Sequence, residues 1–136
     1  MIIKWLEKHN GISWMVTIIL AGVIFYLSSL SFKAGSSGGS SIYSILYHIL
    51  IFFLFALFLQ ISLVKGEYRV LILISLLIAL FYSATDEIHQ LFIPGREGSI
   101  KDVMLNSVGI TFAFMIYSIS LAYRNKKEYR LQNNNS

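Results

Sequence analysis

Between Tyr82 and Asn106 the 136-residue chain gathers most of the side chains with which it could do chemistry: Asp86, Glu87, His89, Gln90, Arg96, Ser99, Lys101, Asp102 and Asn106. One more ionisable residue, His48, stands alone in an otherwise apolar stretch. Three chemistries suit this set. A carboxylate beside an imidazole can act as general base and activate water while a second carboxylate orients the histidine, which makes Asp86, Glu87 and His89 the catalytic candidates. Arg96 with Lys101 can hold a phosphate or pyrophosphate, because the guanidinium fork matches its oxygens bidentately. His48, Gln90, Ser99, Asp102 and Asn106 complete the ligand-binding candidates. A divalent metal on His48, His89 and Asp86, or on Glu87 or Asp102 in its place, is the weakest of the three. Asp86-Glu87-Ile88-His89 lacks the zincin spacing, and no cofactor is expected.

The elements that must position these residues are membrane spans. The chain is 56% hydrophobic and only 13% charged, about half the charged fraction of a soluble domain. Too few polar side chains remain to cover a soluble surface. With no cysteine, a disulfide framework, a thiolate metal site and a cysteine nucleophile are all excluded. Apolar runs over 12–32, 42–64, 70–93 and 103–123 are each long enough to cross a hydrocarbon core as a helix. The sequence therefore predicts an all-α polytopic membrane protein: one domain over 1–130, four transmembrane helices with short connecting loops, and a disordered polar tail over 131–136. The first run follows Lys4 and Lys8 as a signal peptide would, but it exceeds a typical h-region and no small-x-small site closes it, so it is read as retained. Residues Ser36 to Ser41 form a Gly/Ser tether without the context of a phosphate-gripping loop.

The net charge of +4 is an orientation signal, and no nucleic-acid partner is expected. Eight of the eleven Lys and Arg lie in the N-terminus, the second loop and the C-terminal tail, which places both termini in the cytoplasm of a multi-pass cell-membrane protein. That side carries net +5 and suits anionic lipid, whereas the other carries −1.

At about 100° per residue, Tyr82, Asp86, His89 and Gln90 share one arc of the third span, with Ser83 and Glu87 on its flank. Helical rise places His48 roughly 9 Å and Asp86 roughly 10 Å inside the outward ends of their spans, so the two can meet. Ser99 is placed to cap the fourth helix, with Asp102 in its first turn. Asp102 and Asn106 share a face that continues through Gly109 and Ala113, where small residues allow a close helix approach. Ionisable groups at such depth mark a functional site by default; the competing reading is a buried network that only fixes helix packing. Ser28 and Ser29 most simply satisfy local carbonyls.

The run Tyr82-Ser83-Ala84-Thr85-Asp86-Glu87-Ile88-His89-Gln90-Leu91-Phe92, followed by Pro94-Gly95-Arg96, Gly98-Ser99, Asp102-Val103 and Asn106-Ser107-Val108-Gly109, resembles the signature of the VanZ-like family of small membrane proteins. Phe25-Tyr26-Leu27-Ser28-Ser29 and Tyr47-His48 resemble its first- and second-span motifs. The resemblance implies a four-helix integral membrane protein, and founding members of the family are associated with teicoplanin resistance. It supplies no established reaction. Because glycopeptides act on lipid-linked wall precursors outside the membrane, it implies membrane lipids as partners and an outer-leaflet, phosphate-bearing lipid-linked precursor as ligand. The leading expectation is thus an outward polar pocket that binds or modifies an anionic lipid-linked envelope component. A small transporter or proton-coupled channel, in one chain or along an oligomeric seam, is the second reading, and a non-catalytic structural partner of another membrane protein is the third.

Overall fold

In a computed structural model that describes residues 2–31, 42–66 and 69–134, the chain forms five helices: α1 Ile2–Lys8, α2 Asn10–Ser28, α3 Ile42–Val64, α4 Arg69–Gln90 and α5 Ile100–Asn133. The Gly/Ser tether lies outside the described residues. Four of the helices, α2 to α5, are long and apolar enough to cross a membrane, so the all-α, four-span, multi-pass expectation holds. Their outward faces carry large apolar side chains such as Ile18, Leu77, Phe81 and Ile119, which suit lipid and not water.

The helix ends depart from the hydropathy limits for local reasons. α2 stops at Ser28 and not near residue 32, because the Ser28 and Ser29 hydroxyls turn back on the Phe25 carbonyl at 3.0 and 2.7 Å. The α4 helix ends at Gln90; tight turns over Leu91 to Ile93 lead into Pro94, whose ring disfavours helix in the residue before it, and Gly95 follows at φ +79°. At the other limit α5 begins three residues before the apolar run, where the Ser99 carbonyl accepts from the Asp102 and Val103 amides. It continues through the basic residues to Asn133, where sequence predicted the polar tail from residue 131.

α3 is the central helix, packed against each of the others. Ile24, Phe52, Phe55, Ala56, Ala79, Ile110 and Ala113 fill the middle of the bundle. Gly109 sets the α3–α5 crossing: a Cβ there would overlap the Ile49 carbonyl oxygen, so only glycine permits this approach. The short α1 was not foreseen. It is held at the end of the bundle formed by the α3–α4 turn, where Glu7 receives Arg124 bidentately at 2.6 and 2.9 Å and the Tyr117 hydroxyl at 2.8 Å. Tyr117 in turn accepts the Gly66 amide at 3.2 Å.

Candidate functional site

The opposite end of the bundle holds the polar residues that the sequence singled out, and three helices supply them. From α4, Asp86, Glu87 and Gln90 are each no more than 6% exposed. The Gln90 amide nitrogen bridges the two carboxylates, at 3.2 Å from Asp86 Oδ2 and 3.5 Å from Glu87 Oε1. Glu87 Oε2 accepts the Ser99 backbone amide at 3.2 Å. That reach depends on Gly98, where a Cβ would overlap the Glu87 carbonyl oxygen and press on Leu91. The loop after α4 therefore folds back onto the helix and anchors on its carboxylate.

From α3 and α5 come His48, Asn106 and Asp102. His48 Nδ1 lies 3.0 Å from Asn106 Oδ1 and Nε2 lies 3.9 Å from Asp102 Oδ1. An amide oxygen only accepts, so Nδ1 carries the hydrogen in this amide orientation, and a proton on Nε2 would face the Asp102 carboxylate. The imidazole also lies within electrostatic reach of both Asp86 and Glu87. Asn106 is fully buried and, among the described residues, neither its Nδ2 nor the Ser83 hydroxyl one turn below Asp86 has a partner. Asp86, Glu87, Gln90, His48, Asp102 and Asn106 thus form one cluster, at the matched depth that helical rise predicted.

Two residues of the expected site turn to α2, and a third lends the cluster only its backbone. His89 turns to α2: its ring stacks on Phe25 with centroids 4.7 Å apart, and Nε2 lies 3.0 Å from the Ser29 hydroxyl. Since that hydroxyl already gives its hydrogen to Phe25, His89 is the donor. The polar arc of α4 spans about 160° by helical geometry, more than one neighbour can cover, so its edge with Tyr82 and His89 faces α2. Tyr82 confirms the division by donating to the Ala21 carbonyl at 2.7 Å. Arg96 is likewise drawn to α2, where Nε and Nη2 donate to the carbonyls of Leu30 and Leu27 at 3.1 and 2.6 Å. It closes a helix C-terminus whose carbonyls and dipole favour a cation, so those donors do not form the open phosphate fork that was expected. Ser99 contributes its backbone only; its hydroxyl makes no capping bond to α5.

Lys101, the residue before Asp102, is exposed. The proposed metal trio is not assembled, since His89 faces α2, and among the described residues no group of three or more His, Asp or Glu side chains converges as a metal shell. The Glu7, Tyr117 and Arg124 cluster at the other end escaped the sequence reading. Glu7 is 110 and 117 positions from Tyr117 and Arg124, and neither composition nor helical spacing links it to them.

Comparison with known proteins gives one positive finding: the family model described as VanZ/LLP1 matches residues 12–121. That range contains all four spans' apolar cores and every residue of the cluster, and the chain belongs to the VanZ/LLP1 family. No curated protein and no solved structure matches it.

Proposed function

With VanZ/LLP1 membership as the premise, we propose that the chain binds or modifies a lipid-linked component of the cell envelope through the cluster around His48 and Asp86, set in the outer half of the cytoplasmic membrane. The positive-inside distribution supports this orientation, with both termini in the cytoplasm. The observation that carries the reading is the convergence of three carboxylates, an imidazole and two amides from α3, α4 and α5 at one end of an otherwise apolar bundle. Groups so costly to place in a membrane are retained for binding or chemistry. Lys101 supplies a cation at the mouth for a phosphate, and the His48–Asp102 pair can carry a proton for general acid or base work. A resistance phenotype toward teicoplanin is the expected cellular consequence where the bound component is a wall precursor.

A transport function is less well supported. Below His48, Asp86 and Asn106 the section of the bundle is filled by Phe52, Phe55, Ala56, Ala79, Ile110 and Ala113, and a relay through one chain would end there. The test is a binding and turnover assay of purified full-length protein against total envelope lipid, comparing wild type with Asp86→Asn and His48→Gln. Loss of retention or turnover of a defined lipid in both variants is expected. Identical lipid profiles in all three proteins would overturn the proposal.

A further inference from the structure

Among the described residues the cluster is rich in acceptors and poor in donors. Glu87 and Asp102 face the His48 imidazole, and Asp86 lies near that ring, the His89 ring and the Ser28 hydroxyl, whose hydrogen goes to the Phe25 carbonyl. Gln90 divides one amide nitrogen between two carboxylates, and the Ser99 amide serves one oxygen of Glu87. The Arg96 Nε and Nη2 donors are on the α2 carbonyls, and the His89 Nε2 donor is on Ser29. Low-exposure carboxylates in this state call for a compact cation with several hydrogens to give.

Asn106 adds an independent requirement of the opposite kind. It is completely buried in the same cluster, held against His48 by its oxygen, and its Nδ2 hydrogens have no acceptor among the described residues. A ligand that fits must therefore bring a multiple donor for the carboxylates and, close to it, an oxygen that accepts from Asn106. Resting on the outer-leaflet lipid reading above, we infer that the site recognises a primary ammonium linked by a short chain to a phosphate, the chemistry of a phosphoethanolamine headgroup. The ammonium brings three N–H donors for Asp86 and Glu87, which otherwise share the one Gln90 nitrogen. Its phosphate ester supplies the acceptor for Asn106 and a negative charge for Lys101. A trimethylated ammonium has the same charge and no N–H to give, and a glycerol headgroup adds no cation.

The experiment is native mass spectrometry of the full-length protein in detergent with a chelator present, offered equimolar phosphatidylethanolamine, its monomethyl and dimethyl forms, phosphatidylcholine and phosphatidylglycerol. Retention is expected to fall with each added methyl, by about tenfold across the series, as donors to charged acceptors are lost. Asp86→Asn and Glu87→Gln should flatten the series, while Lys126→Ala at the far end of α5 should leave it intact. Equal retention of the ethanolamine and choline lipids would overturn the inference, as would a preference for phosphatidylglycerol. If phosphatidylglycerol is preferred and Asp86→Asn abolishes that preference, the ammonium assignment fails and the lipid-binding reading stands. If retention of every lipid ignores both carboxylates, both fail. The methyl series on wild type decides the matter even where the variants do not fold.

Discussion

His48 Nδ1 and Asn106 Oδ1 meet at 3.0 Å across the α3–α5 crossing, and Gly109 is the residue that lets them. One turn from Asn106, its missing side chain allows α5 to lie against the α3 backbone at Ile49, the neighbour of His48. Gly109→Ala should therefore separate the helices and loosen the His48–Asn106 contact. An overpacking cost of about 1–3 kcal/mol is expected, read as lowered thermal stability of the purified protein. Undiminished stability would show that the crossing is not close-packed at this point.

Arg96 ties the α4–α5 loop to the end of α2 through the Leu27 and Leu30 carbonyls. Arg96→Ala should lower stability by about 1–3 kcal/mol, because hydrogen bonds from a charged donor are lost. Lysine, with one ammonium and no planar fork, should rescue only part of it. Denaturation of the three proteins in one detergent measures the difference; an Arg96→Ala protein as stable as wild type would remove the capping role.

At the other end, the Glu7 carboxylate is 8% exposed and receives both Arg124 nitrogens and the Tyr117 hydroxyl. Glu7→Gln leaves a half-buried guanidinium without its counter-ion, and a loss of about 3 kcal/mol is expected in the same assay. The Lys4–Glu128 pair nearby is a useful contrast, being exposed on both sides at 66% and 59%. Lys4→Gln should change stability little, since solvent screens such pairs. Equal effects at the two pairs would mean that α1 is not anchored through Glu7.

Orientation is directly measurable, because the chain has no cysteine to give background. Cysteine at Lys101 should react with a membrane-impermeant thiol reagent on intact cells, and cysteine at Lys126 only after the cells are opened. The reverse pattern would place the cluster at the inner face and exclude an outer-leaflet ligand.

Much of this arrangement is legible in the sequence because membrane spans are written in long apolar runs, and depth follows from residue count along a helix. His48 and Asp86 could be matched in depth without knowing how the helices pack, and Gly109 with Ala113 announced a close approach. Direction around the helix axis was harder. The arc from Tyr82 to Gln90 reads as one polar face, yet it is shared between α2 on one edge and α3 with α5 on the other. Arg96 reads as a free guanidinium because nothing local shows that its hydrogen-bond acceptors are carbonyls 66 and 69 residues earlier. Glu7 with Arg124 was unreadable for the same reason, and so was α1, too short for hydropathy to mark.

The most direct test of an outward lipid site is photo-crosslinking in living cells from position 47. Tyr47 is 37% exposed and its ring sits edge-on to His48, with centroids 5.4 Å apart. Met104 lies near the same end of the bundle and is 65% exposed, so a photoreactive residue there samples bulk lipid. Mass spectrometry of the adducts should show a specific lipid-linked component enriched at position 47 over position 104, with the enrichment lost in Asp86→Asn. The same lipid adducts in the same proportions at both positions would contradict it.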